Sequence, residues 1–307
     1  MSVPCFMKTF IRSFTGVSAV FRPAVVCSCK GIDTRKMSSK RQTDHLERTA
    51  SVYRQMELFS ARVCDIVNES DTVKRLSLEM SDPAFKFRAG QWVDFFIPGV
   101  DTVGGFSICS SPGLLKREGI IELAVKYTRH PPAHWIHTQC SVDSEVAVRV
   151  GGNFYLDPQP SDPVLDLLLV AGGVGINPLY SILLHTADLL RHSSPGHVYK
   201  PGRTHLCYSA KNTKDLLFKN TIIDICHELS EKISCNFHVT QQSSDIEQEI
   251  QPYTINGRIS EDVLRPHVDP KRTMCYLCGP PPMIEKVSAD LQRLGVSEDK
   301  ILFEKWW

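Results

Sequence analysis

Gly172, Gly173 and Gly175 stand in the stretch VAGGVGINP, at the end of an apolar run and just ahead of a helical pattern. Glycines there permit positive φ and close backbone approach. A helix beginning behind them offers unpaired N–H groups and a favourable dipole to a phosphate. Val174 and Ile176 complete the turn, Asn177 is placed to cap the helix, and Pro178 suits its first position. The spacing departs from G-x-G-x-x-G, and a glycine-rich strand-to-helix turn serves equally well as a plain turn. About a hundred residues later, CGPPPMI repeats the arrangement, with Gly279 and Pro280 bending the chain sharply after Cys278. Cys275 and Cys278 form a C-x-x-C with no second ligand pair. On a strand their side chains point to opposite faces, so no metal site is expected.

A third stretch, GGFSICSSP, lies far upstream and contains Phe106, Ser107 and Ile108. Taken alone, Phe106 reads as a barrel core aromatic. FSICSSP, GGVGINP, CGPPPM and a closing FEKWW nevertheless follow one another in a fixed order. In that order the chain resembles the ferredoxin–NADP reductase superfamily across residues 57–307. The resemblance implies an amino-terminal flavin-binding barrel and a carboxy-terminal nicotinamide nucleotide domain. The implied activity is a flavin-dependent oxidoreductase, which passes a hydride from NAD(P)H to FAD, or to FMN as the alternative flavin. Electrons then go to a separate acceptor: a small redox protein, a quinone or dioxygen. Carried over by position, Phe106 packs on the isoalloxazine ring, Ser107 hydrogen-bonds near its N5, and Ile108 and Lys126 make further flavin contacts. Gly172 to Asn177 hold the nucleotide's pyrophosphate side. Cys278, with Gly279 and Pro280, lies near the nicotinamide, so Ser107 and Cys278 are the catalytic candidates. Gly151 to Phe154 match the segment joining the domains, Glu304 is a candidate proton or charge partner, and Trp306 and Trp307 either cover the flavin or pack on the barrel.

Two positions depart from the family pattern. The motif written R-x-Y-S/T has Gly104 at its arginine, which removes a phosphate contact worth on the order of 1.5–3 kcal/mol. The expected G-x-x-S/T phosphate turn near residues 131–134 is replaced by RHPPAHW, where two prolines lack N–H donors. Arg129, His130 and Lys126 either compensate or are solvated surface cations. These departures motivate a second reading: an NAD(H)-binding regulatory or assembly protein with a degenerate flavin site. The segments after the second and third strands of the nucleotide domain, SAKNTKD and TQQSSDIE, contain no arginine. A ribose 2′-phosphate needs paired charge, so NAD is favoured over NADP. No plant-type iron–sulfur spacing is present.

The elements that would position these residues fall into two groups. ARVCDIV, VKRLSLEM, WVDFFI, GIIELAVKY and SEVAVRV show alternation or β-rich composition. They predict about six antiparallel strands without a long helix, a Greek-key barrel over residues 57–157. DPQPSDP then breaks the chain, and from residue 163 to 307 strands alternate with helices. The fold class is therefore β plus α/β: an antiparallel barrel of the flavin-binding type, then a parallel-sheet nucleotide-binding domain with helices on both faces.

Composition excludes other classes. Over 307 residues the hydrophobic fraction is 42%, the charged fraction 22% and the net charge +1, which gives no global electrostatic case for nucleic acid. No apolar run is long enough to span a bilayer. The eleven cysteines are scattered and odd in number, as expected of reduced thiols. Residues 1–32 contain no Asp or Glu, while Phe6, Phe10 and Phe14 share a helical face opposite Lys8 and Arg12. Residues 1–50 are thus read as a mitochondrial presequence with a polar linker, implying the matrix, or else as a disordered basic tail.

Overall fold

The computed structural model describes residues 44–192, 199 and 201–305. Residues 1–43 of the expected presequence and linker and the closing Trp306 and Trp307 lie outside them, whereas residues 44–50, read as linker, are described and contain a helix. A single-turn helix α1 (His45–Arg48) precedes six strands: β1 (Phe59–Ser70), β2 (Val73–Met80), β3 (Trp92–Ile97), β4 (Val100–Ser107), β5 (Ile120–Lys126) and β6 (Glu145–Gly151). Helix α2 (Pro112–Glu118) lies between β4 and β5, and α3 (Pro131–Thr138) between β5 and β6. The strands pair antiparallel in the order β4-β3-β6-β1-β2-β5. A bridge from Ile108 to Leu123, with Cys109 N donating to Glu122 O at 2.8 Å, joins the end of β4 to β5 and closes the barrel. Closure leaves one inward face, and every second residue fills it: Val63, Leu76, Leu78, Phe95, Leu123 and Val148 are buried.

The segment read as a substituted phosphate turn is α3. Pro131 and Pro132 occupy its first turn, where a missing N–H costs nothing because no intrahelical acceptor exists. His137 Nε2 lies 2.9 Å from Val125 O, and Lys74 Nζ donates to His137 O at 3.1 Å, which ties α3 across β2 and β5.

The second sheet contains β7 (Asp166–Gly172), β8 (Thr204–Ala210), β9 (Ile233–Val239), β10 (Thr254–Asn256), β11 (Thr273–Cys278) and β12 (Ile301–Glu304). It is parallel throughout, in the order β10-β9-β8-β7-β11-β12. Helices α4 (Ile176–Arg191), α5 (Lys219–Glu228), α6 (Glu261–Leu264) and α7 (Pro281–Arg293) connect the strands. β7 is apolar and buried along nearly its whole length, as a central parallel strand covered on both faces must be. The chain leaves β7 toward β10 and then returns to β11 on the other side of β7. That reversal opens a crevice at the carboxyl ends of β7 and β11.

Helix α4 fastens this sheet to the barrel. Asn177 Nδ2 donates to Ala124 O at 2.6 Å, Ser181 Oγ to Ser110 O at 2.6 Å, and Ser111 Oγ to Asp188 Oδ2 at 2.7 Å. Asn177 is thus not the helix cap: a 3₁₀ turn over Gly173–Gly175 starts the helix earlier, and the side chain is spent on the barrel. All eight described cysteines are free, and no helix among the described residues is long and apolar enough to cross a membrane.

Buried imidazoles set a pH limit on this fold. His205 stacks on His267 at 3.3 Å between ring centroids, and burial followed by that neighbour lowers its pKa to about 3. Burial lowers His238 to about 4. Both rings stay neutral when folded but take up a proton near pH 6.5 when unfolded. Their stabilising contribution is therefore complete above that pH and is lost as pH falls from 6.5 toward 4. The expected slope is up to about 2.7 kcal/mol per pH unit for the pair, measured as a falling urea midpoint between pH 7.5 and pH 5.

Candidate nucleotide site

Three of the four glycines at the crevice close its floor. A Cβ on Gly172 would stand 2.8 Å from both Met283 Sδ and Pro280 Cδ. One on Gly279 would stand 3.0 Å from Gly172 N. One on Gly175 would overlap the carbonyl of Cys278, with Gly279 N at 2.8 Å. A side chain could not be added at these positions without a shift, so they let the turn after β7 pack closely on the turn after β11. Gly173 differs: its φ is +56°, and nothing lies within 4 Å of the missing Cβ. It opens onto a cavity of about 590 Å³, behind which α4 begins.

The cavity carries an anion-binding charge pattern. Lys126, Lys211, Arg258 and Lys286 line it together with Asp215, Lys286 being paired with Asp290 at 2.6 Å. Lys126 is exposed at the end of β5, so the barrel contributes a cation to the crevice. Val174 lines the wall, whereas Ile176 is fully buried beneath it. Arg258 was missed in the sequence because it follows β10, away from both segments searched for a 2′-phosphate cation. The main-chain pairing of Gly257 N with Val239 O, at 2.8 Å, brings it beside the end of β9. Gly279 and Pro280 form the turn at the crevice edge. Cys278 does not reach the crevice: it is 0% exposed, and burial, then the nearby Glu304, pushes its thiol well above the ordinary range.

The residues assigned to a flavin stand elsewhere. Ile108 is fully buried in the barrel core, where it closes the sheet. Ser107 is 7% exposed and pairs in register with Trp92. Phe106 packs edge-on against Phe95, with ring centroids 5.5 Å apart. A Cβ on Gly104 would stand 2.7 Å from Phe106 Cε2 and 3.0 Å from Pro132 Cβ, so α3 rests directly on β4 at this point. On the opposite face of β4 the His45 ring lies against Gly105, where a Cβ would overlap it. Protein therefore packs on both faces of the motif strand at Gly104 and Gly105, while Phe106 stays partly exposed. The space that an arginine at the Gly104 position would take toward a flavin phosphate is filled by Phe106 and Pro132.

A family model described as the oxidoreductase NAD-binding domain matches residues 169–289. Oxidoreductase NAD-binding domain-containing protein 1 of Danio rerio is 80% identical over 271 residues, covering 88% of this chain and all of that protein. The Homo sapiens protein of the same name is 56% identical over 275 residues, covering 89% of this chain and 88% of that protein. The chain belongs to the oxidoreductase NAD-binding domain-containing protein 1 family. Its fold is that of the ferredoxin–NADP reductase-like oxidoreductases. The cytochrome b5 reductase domain of Ulva prolifera nitrate reductase superposes with a TM-score of 0.65 at 17% identity, covering 81% of this chain and 97% of that one. A ferredoxin–NADP reductase from Neisseria gonorrhoeae, solved with FAD and NADP bound, superposes with a TM-score of 0.63 at 14% identity, covering 82% and 100%. For this family member, the glycines make separable predictions. Gly173→Val forces a branched residue into positive φ and into the cavity. It should abolish NADH binding at a stability cost of about 1–2 kcal/mol. Gly175→Ala should instead cost about 3 kcal/mol of stability through overpacking. NADH fluorescence titration and urea unfolding of both variants separate the two effects.

Proposed function

We propose that the chain is an NAD(H)-binding regulatory or assembly protein, with the nucleotide seated in the crevice between β7 and β11 and no resident flavin in the barrel. The observation that carries this reading is Gly173, open at positive φ over the start of α4, facing a cavity lined by four cations. A pyrophosphate in that cavity accepts from the free N–H groups of the turn and is balanced by Lys211 and Arg258. A bound nicotinamide supplies hydride chemistry. The chain's own residues bind and orient it through the glycine turn, while α4 and its bonds to the barrel hold that turn rigid. The basic, acid-free amino terminus supports a mitochondrial setting.

The flavin-dependent reductase reading, in which the hydride goes from NADH to FAD and electrons pass to a separate acceptor, is tested by the same experiment. The full chain is incubated with excess FAD or FMN, desalted, and titrated anaerobically with NADH while its visible absorption and NADH fluorescence are recorded. The expected result is a colourless protein that binds NADH. A yellow protein bleached by NADH establishes the reductase instead. Arg258→Gln should weaken NADH binding roughly 10- to 100-fold through loss of a charge-assisted contact. NADPH measured in parallel shows whether Arg258 reverses the preference for NAD that the sequence suggests.

A further inference from the structure

We propose that Cys226 of α5 and Cys235 of β9 are a redox-active dithiol, which a small hydroperoxide converts to a reversible disulfide joining helix to sheet. The proposal is independent of what the crevice binds.

One tight connection brings the two sulfurs together. Helix α5 ends at Glu228, and Leu229 O then accepts from both Lys232 N and Ile233 N at 2.8 Å. β9 therefore starts directly beside the last turn of the helix. Cys226 stands three residues before Leu229, about 4.5 Å along the helix. Cys235 stands two residues after Ile233, about 6.6 Å along the strand. The two positions are thus at similar depth. Cys235 shares a strand face with Phe237. Cys226 follows Ile222, Ile223 and Ile225 on the buried side of α5, and all of these residues belong to one buried cluster. There the Cys235 thiol donates to the Cys226 sulfur.

The pair lies close to the surface. β10 pairs with β9 over Phe237–Val239 and does not extend to Cys235. Tyr253, just before β10, packs on Phe237 with ring centroids 6.5 Å apart, and its hydroxyl is hydrogen-bonded to His227, the neighbour of Cys226. Cys226 and Cys235 retain 6% and 5% exposure, whereas Cys109, Cys207, Cys275 and Cys278 are fully buried. Cys64 is spent on Ser77 O, to which its thiol donates at 3.3 Å. A site so narrowly exposed suits a small, uncharged oxidant.

The mutual hydrogen bond divides the roles. It favours the Cys226 thiolate, lowering that thiol, while the same bond and then burial hold the proton on Cys235. Cys226 is therefore the nucleophile and Cys235 the resolving thiol. The Cys226 sulfur attacks one oxygen of hydrogen peroxide. An S–O bond forms, the O–O bond breaks, and the departing hydroxide takes the proton that Cys226 lost and leaves as water. Cys235 then attacks the sulfur of the Cys226 sulfenic acid. The S–S bond forms, the S–O bond breaks, and a second water leaves with the Cys235 proton. The two sulfurs together give up one electron pair, which reduces the peroxide to two waters.

Peptide mapping of the full, reduced chain tests this. The chain is given limiting hydrogen peroxide, its remaining thiols are alkylated, and the digest is read by mass spectrometry. A Cys226–Cys235 linked pair should form on the order of tenfold faster than Cys64 or Cys140 is oxidised, and dithiothreitol should reopen it. Absence of the link, or oxidation of Cys64 and Cys140 ahead of the pair, overturns the proposal. Cys235→Ser should stop the reaction at the sulfenic acid, trapped on Cys226 as a dimedone adduct. An adduct forming as fast on Cys235 in Cys226→Ser overturns the division of roles. Should either variant fail to fold, the mapping of the unmodified chain stands by itself. It reads the thiols directly, so a failure of NADH binding leaves its outcome unchanged.

Discussion

The start of α4 rests on the end of β11 because Gly175 has no side chain. That backbone contact sets the distance between two turns separated by about a hundred residues, and the crevice exists only at that distance. It also sets the direction of α4. The helix emerges from the crevice floor and runs along the barrel, where Asn177, Ser181 and Asp188 meet Ala124, Ser110 and Ser111. The nucleotide cradle and the fastening of barrel to sheet are therefore one device. Any side chain at Gly175 pushes α4 away from β11 and misaligns both ends of it.

The stretch GGFSICSSP divides its work in a way its letters do not announce. Ile108 closes the barrel, and Ser110 and Ser111 receive α4. Gly104 and Gly105 are gaps filled from opposite faces, by Pro132 and by His45. A motif that resembles a cofactor cradle is, in this chain, a strand packed on both sides by protein. Cys278 follows the same logic. Its place at a strand end matches a catalytic position, but its thiol is buried in the core of the parallel-sheet domain.

Much of the architecture was legible in the sequence, because burial imposes period on side chains. The apolar run ending in VAGG could only be a central parallel strand, and the alternation of β1, β2 and β5 could only face a single core. What could not be read depends on tertiary contact. Helix α3 looked like a broken turn because its prolines were weighed for the donors they lack rather than for a helix start that needs none. Asn177 looked like a cap because the 3₁₀ turn before it is stabilised by the end of β11, far along the chain. Arg258 enters the crevice through the pairing of β10 with β9, which involves three residues in each strand. Helix α1 carries no periodic signal at all, since four residues make no pattern. Its position follows from Asp94, and a buried acid in the middle of WVDFFI was the one hint that something must cover that strand.

The departures from the reductase pattern are consistent with one another, and this bears on how they should be understood. Gly104 alone would be a lost cation, and Pro132 alone a lost donor. In the folded chain they are in contact, so each makes room for the other. Gly105 and His45 form a second such pair, and Gly151, Gly152 and Trp92 a third group, joined to the second through Trp92. Loss of a ligand with nothing in its place would leave a cavity and an unpaired carboxylate at Asp94, both costly. Asp94 is paired with His45, Arg54 and Arg149, while a cavity of about 410 Å³ lies beside Trp92, Arg48 and Glu304. An arginine restored at Gly104 would meet Phe106 and Pro132 before it met a phosphate, so no single reversion recreates the flavin cradle. With the two faces of β4 occupied at Gly104 and Gly105 by Pro132 and His45, the space left open over a positive-φ glycine is the crevice at Gly173.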